Sequence, residues 1–319
     1  MNANRPNFTW PVLVIGVGIV VLLINANALP EAYGDLLVRA WPTLLIIFGL
    51  NVLLGGRIRY ANWVILGVAV GVTILIANFA YAERSKQYRD DYTFIWQDTL
   101  PDNITSLAIN VEAKDTLVAI TNSAEPAALE VRFVGSTEST MNVDLVIDGN
   151  SAVFNVIELR SGILPRLAEV GRGTLNLALP YGVFIEEFNY SGDDGSVTLD
   201  ATQLAVRIID VTVQRGNMQL CLPQRLPTEG FVIIGDQITL SNGDLRIYVP
   251  PDVTLSLVTN RDREPEYIPD IRRNDYNFLF GGELQSRIVT DNQFDVLLDL
   301  NVDGRLIIDH GEKPCQPTA

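Results

Sequence analysis

Three uncharged apolar stretches, residues 10–24, 41–54 and 63–81, dominate the start of the chain, and from residue 92 the pattern changes to alternating apolar and polar positions. The third stretch runs from Trp63 to Tyr81. At about 1.5 Å per residue it crosses most of a hydrocarbon layer about 30 Å thick, and its terminal aromatics suit the headgroup level on either side. The first two stretches open on the same dipeptide, Trp10-Pro11 and Trp41-Pro42. Each is shorter than the roughly 20 residues of a comfortable span, so local thinning or apolar neighbours such as Leu36, Leu37 and Val38 must supply the missing length. Proline is tolerated at a helix start because the N–H it lacks would have no partner there. The pattern therefore predicts an N-terminal α-helical transmembrane region of three spans over residues 1–82 and a polar linker over 83–91. A cleaved leader, with Arg5 ahead of the apolar core and Ala26-Asn27-Ala28 as the cleavage site, competes for the first stretch; the retained twin at 41–54 argues against it.

Beyond the linker, Ser106-Leu-Ala-Ile-Asn-Val111, Leu129-Glu-Val-Arg-Phe-Val134, Val143-Asp-Leu-Val-Ile-Asp148 and Asp295-Val-Leu-Leu-Asp-Leu-Asn-Val302 alternate with period two. Such segments read as half-buried strands. Asp148-Gly149-Asn150, Asp194-Gly195, Asn242-Gly243 and Asp303-Gly304 supply turn pairs that tolerate positive φ. One unit recurs: Gly173-Thr-Leu-Asn-Leu-Ala-Leu-Pro180, Gly216-Asn-Met-Gln-Leu-Cys-Leu-Pro223 and Gly243-Asp-Leu-Arg-Ile-Tyr-Val-Pro250. Alternation puts Leu175, Leu177, Leu179 and their counterparts on one face, and proline ends each ladder because it has no donor. The spacing between these units is too uneven for a strict repeat. The expected fold is an all-β soluble domain over residues 92–310, an irregular β-solenoid or β-sandwich of stacked short strands, followed by a flexible tail over 311–319.

The paired Trp-Pro spans resemble the transmembrane region shared by bacterial LiaI- and LiaF-type proteins. The repeated Gly-x-Leu-x-Leu-x-Leu-Pro strands resemble the LiaF C-terminal and adhesin-type β domains, and residues 288–309, ending in Asp303-Gly-Arg-Leu-Ile-Ile-Asp309, fit their closing strands. LiaF-type proteins act in cell-envelope stress signalling by restraining a partner sensor kinase, and the resemblance implies a role of that kind. The three predicted spans depart from the four of LiaF itself.

Charge separates the two regions. Seven basic groups face five acidic ones up to Asp91, so in a chain of net charge −15 the remaining residues carry −17. An acidic domain of this kind repels nucleic acid and anionic lipid, and no nucleic-acid partner is expected. Placing the N-terminus in the cytoplasm keeps Arg5, Arg57 and Arg59 inside, and three spans then put the β domain outside. Arg39, Arg84, Lys86 and Arg89 fall on the outer side, but the short Arg57-Ile-Arg59 connection weighs more than charges leading into a long domain. The expected location is the cell membrane, multi-pass, with an extracytoplasmic soluble domain.

Candidate chemistry is sparse. His310 is the only histidine, which leaves one possible base for a nucleophilic triad and rules out a histidine metal cluster. No phosphate-binding glycine loop follows a strand. The carboxylate pairs Asp193/Asp194 and Glu186/Glu187 and the run Asp262-Arg-Glu-Pro-Glu266 match no Ca²⁺-loop spacing and read as turn and surface groups. No catalytic, cofactor or metal site is assigned. Cys221 and Cys315 suit a disulfide in an oxidising compartment, although two free thiols are the competing reading. Residues 260–282 lack alternation and hold Tyr267, Ile268, Tyr276, Phe278 and Phe280 among charges. They form either a recognition loop or a flap that buries its aromatics over the end of the core. The sequence thus points to a non-catalytic, membrane-anchored envelope protein that senses stress or scaffolds through contacts with the bilayer and with a sensor kinase or other envelope protein. A passive adhesin-like surface module is the alternative.

Overall fold

The computed structural model describes residues 87–137, 139–160, 172–223, 232–260, 263–279, 281–287 and 294–311. The three expected spans lie outside them, and among the described residues no helix is long and apolar enough to cross a membrane. The described chain is all-β, with eighteen strands and one 3₁₀ helix at Asp270–Asp275.

The strands stack as rungs, each turning a corner between two facing sheets. β2 (Ser106–Asn122) is long enough to serve both. Its first half pairs in parallel with β5 (Ser151–Arg160) and β7 (Phe184–Asp194), its second half with β6 (Gly173–Leu179) and β8 (Val197–Asp200). Parallel pairing then continues. β9 (Ala205–Arg215), β11 (Ile233–Leu240), β17 (Val296–Val302) and β13 (Leu255–Thr259) extend the first sheet. β10 (Met218–Cys221), β12 (Leu245–Tyr248), β18 (Leu306–Asp309) and β14 (Glu266–Ile268) extend the second. Antiparallel strands finish the stack. β4 (Ser139–Asp148) lies on β5, and β3 (Ala128–Gly135) with β1 (Tyr92–Thr99) lies on β6. At the other end β16 (Glu283–Ser286) and β15 (Tyr276–Leu279) follow β13. The result is an all-β domain of stacked, mostly parallel strands with antiparallel ends, in line with the expected all-β class.

Rung order departs from chain order. The strands opened by Gly173 and Gly216 are not neighbours, because β2 and β8 lie between them. The last strands, β17 and β18, insert between two earlier rungs.

The repeated unit follows from the packing. On the inner face of the second sheet Leu177, Ile120, Leu199, Leu220, Ile247 and Ile308 align in register and are fully buried. At the corner, Gly195, Gly216, Gly243 and Gly304 stack so closely that an added Cβ would fall 2.1 Å from the oxygen of Thr116, 2.1 Å from that of Gly195, 1.8 Å from that of Gly216 and 2.0 Å from that of Gly243, respectively. Only glycine fits. The next residue at each corner ties the rungs together. Ser196 Oγ accepts from Asn217 N (3.2 Å), Asn217 Oδ1 from Asp244 N (2.9 Å) and Asp244 Oδ1 from Arg305 N (2.7 Å). Sequence separations along this ladder are 21, 27 and 61 residues, which is why no fixed period shows.

Candidate interaction surfaces

The segment at residues 260–282 contains β14, the 3₁₀ helix and β15. β14 places Tyr267 opposite Ile308, at the end of the aliphatic column, where it is buried. Tyr276 stacks on it with ring centroids 5.6 Å apart and is buried as well. The Tyr276 hydroxyl lies 2.9 Å from His310 Nε2. Burial, above all, raises both phenol pKa values. Burial and then the field of Arg272 hold the His310 imidazole below its usual value, so it is neutral at neutral pH. Ile268 and Phe278 are half-buried, the latter against the same core. Phe280 lies outside the described residues. Tyr267 and Tyr276 are therefore packed into the core in the described residues. Among the described residues of this segment, the large apolar side chains that are exposed are Ile271, at 74 %, and Leu279.

Cys221 is buried in the same row as Asp200 and Tyr248, apart from the main hydrophobic cluster. It is disulfide-bonded; Cys315 lies outside the described residues.

The carboxylates weighed for acid–base or metal chemistry are engaged locally. Asp193 pairs with Lys114 at 3.1 Å and Asp194 with Arg172 at 2.7 Å, while Glu186 pairs with Arg207 at 3.4 Å and Glu264 with Arg273. Among the described residues no group of three or more His, Cys, Asp or Glu side chains is placed to hold a metal ion. Glu158, like Asp309, is a buried carboxylate of the described residues. It accepts from Lys114 N (2.6 Å), Thr116 Oγ1 (2.8 Å) and Ser139 Oγ (2.7 Å) and so ties β5 to β2 and β4. Three donors satisfy it, which marks a structural group.

The outer face of the first sheet is a ladder of amides and acids. Asn110 donates to Asn155 (2.8 Å), Asn189 to Asn110 (3.0 Å) and Asn260 to Asn301 (2.6 Å). Asp210 follows Asn189 in register, and burial, then Asp236 and Glu187, raise its pKa. On the second sheet Arg246 Nε donates to the buried Asp309 (2.8 Å) while its guanidinium lies 5.2 Å from the Tyr248 ring centre. These arrangements hold the rungs together.

Residues 9–96 match the LiaF transmembrane domain family, in agreement with the resemblance of the Trp-Pro spans. The match runs into β1. No curated protein sequence matches the chain. In fold, the chain is similar to a putative cell adhesion protein from Clostridium sporogenes, at 11% identity and a TM-score of 0.55, with 69% of this chain and 99% of that one covered. A putative adhesin from Bacteroides fragilis aligns over 69% of this chain and 98% of its own at 9% identity, with a TM-score of 0.26. The N-terminal region thus has the sequence of a LiaF-type membrane domain, and the rest has a fold also found in an adhesion-type protein.

Proposed function

We propose that the chain is a multi-pass cell-envelope protein whose β domain lies on the extracytoplasmic side. There it serves as a non-catalytic, stress-sensing regulatory scaffold, with a membrane sensor kinase as the class of partner. The observation that carries this reading is the LiaF-type match at 9–96, which leads without a break into a stacked β domain. A solenoid tied corner to corner by backbone and side-chain hydrogen bonds is a stiff scaffold for contacts. A Cys221–Cys315 bridge fits an oxidising compartment. Closing a loop of about 90 residues, it adds about 2–4 kcal/mol if unstrained.

The test is a strain lacking the chain, challenged with an envelope-damaging antibiotic while a stress-responsive transcript is followed. A regulator shifts the threshold of that response, and the full chain restores it where the spans alone do not. An unchanged response in the deletion strain supports the passive adhesin-like reading instead.

A further inference from the structure

Among the described residues, β4 ends the first sheet and β1 the second at one end of the stack, each paired on one side only. Long exposed edges are normally blunted by charged side chains, lysine above all, by proline or by a bulge. β4, with the sequence Ser139-Thr-Met-Asn-Val-Asp-Leu-Val-Ile-Asp148, has no lysine, proline or bulge, and its charges are the exposed carboxylates of Asp144 and Asp148. Its pairing with β5 runs without a register shift from Ser139↔Arg160 to Asp148↔Ser151, and among the described residues no strand pairs with its other side. Leu145, Val146 and Ile147 follow one another along this edge, the last two 49 % and 47 % exposed. Val146 stands beside Val153, itself 37 % exposed.

The two faces of β4 differ. Met141, Val143, Leu145 and Ile147 share the face of Phe154 and Val156, which belong to the core. Asn142, Asp144, Val146 and Asp148 share the outer face, where the only charges on the strand are the two exposed carboxylates. A strand added here gains main-chain hydrogen bonds, with alternate side chains setting specificity. Its inward residues must be apolar to continue the layer of Val143, Leu145 and Ile147, and its outward ones must be basic to meet Asp144 and Asp148.

We propose that the free edge of β4 is a strand-addition site for an extended segment of another protein in which aliphatic residues alternate with lysine or arginine. This rests on the reading that the domain acts through protein contacts and names the surface and the partner chemistry. A second copy of β4 fits less well. Antiparallel pairing of two such edges brings four carboxylates onto one face, and residues 92–319 carry −17, so like charges oppose the approach.

The experiment uses the full chain in nanodiscs and two ten-residue probes, one alternating valine with lysine and one alternating valine with glutamate. Binding is read by fluorescence anisotropy, and strand addition by hydrogen exchange at the amides of residues 139–148. The valine–lysine peptide is expected to bind at least tenfold more tightly than its acidic counterpart and to slow exchange along β4. In the double variant Asp144→Lys/Asp148→Lys, which changes two exposed side chains, the preference reverses. Three results overturn the proposal: unchanged exchange at β4 in wild type, a peptide preference that survives charge reversal, or a concentration-dependent dimer that protects β4 without peptide. The wild-type exchange result stands even if the variant folds poorly. If the peptides fail while the deletion strain still shifts its stress response, the edge assignment falls and the regulatory reading remains.

Discussion

Replacing Gly243 with alanine should destabilise the β domain by about 3–5 kcal/mol, far more than the same change at an open turn. The new Cβ would sit 1.8 Å from the carbonyl oxygen of Gly216 and 2.5 Å from its carbon, where ordinary contact begins at 3.4 Å. The obstacle is backbone, so no side chain can swing aside. That backbone is also held in place, since Gly216 N donates to Asn242 O, Met218 N to Asp244 O and Leu245 N to Arg305 O, each at 2.9 Å. Relief requires the rungs to separate. Overpacking costs about 1–3 kcal/mol, and each of two lost hydrogen bonds adds about 1 kcal/mol. Gly216→Ala meets the same wall, 2.1 Å from Gly195 O, at a φ of +141°, and should cost about 1–3 kcal/mol more. The control is Gly149, which has a φ of +60° and nothing within 4 Å of an added Cβ; its alanine variant should lose only about 1–2 kcal/mol. Pulse proteolysis of the full chain in a urea series measures all three. Equal losses for Gly243→Ala and Gly149→Ala would refute the close stacking of the corner.

Leu177 and Leu220 are fully buried in the aliphatic column while Asn176 is exposed and Gln219 half-buried on the other face. Leu177→Asp or Leu220→Asp should therefore unfold the domain, whereas Asn176→Asp and Gln219→Glu should be nearly silent in a thermal melt. Hydrogen bonds from the Arg305 side chain and backbone hold the Asp244 carboxyl below the usual carboxylate pKa. Because the folded value is depressed, its stabilisation is complete above about pH 4, near the unfolded value. It fades as pH falls through the folded value, so the gap in melting temperature between wild type and Asp244→Asn should be full at pH 7 and close in acid. Tyr276→Ser removes a buried ring and leaves Tyr267 and His310 without their neighbour. It should cost about 3 kcal/mol or more, and a wild-type melting curve would return this tyrosine to the list of surface anchors.

Much of the β domain could be read from residue pattern, and the failures have physical causes. Period-two alternation located β2, β3, β4 and β17, and the Gly-x-apolar unit assigned the correct inner face at β6, β10 and β12. Two further members of that unit carry no proline at the strand end: the one at Gly195 read as a plain turn, and the one at Gly304 read as a closing strand without being joined to the repeat. Rung order was hidden because spatial neighbours at the corner are up to 61 residues apart, with β14, the 3₁₀ helix, β15 and β16 inserted before the last rung. Tyr267 looked like a loop aromatic because β14 is three residues long. No three-residue strand announces its register, and only its pairing with Ile308 places the ring in the core. The β4 edge was legible as a strand but not as an edge, since that depends on which strand fails to arrive beside it.

The most direct test of the account as a whole is the side of the membrane on which the solenoid stands. Asp252 is exposed in the turn between β12 and β13, so Asp252→Cys places a reactive thiol on the β domain without disturbing a rung. Intact cells carrying this variant are treated with a membrane-impermeant maleimide, and labelling is compared with that of lysed cells. Equal labelling in both is expected of an extracytoplasmic β domain. Labelling only after lysis would place the domain in the cytoplasm and contradict an extracytoplasmic scaffold.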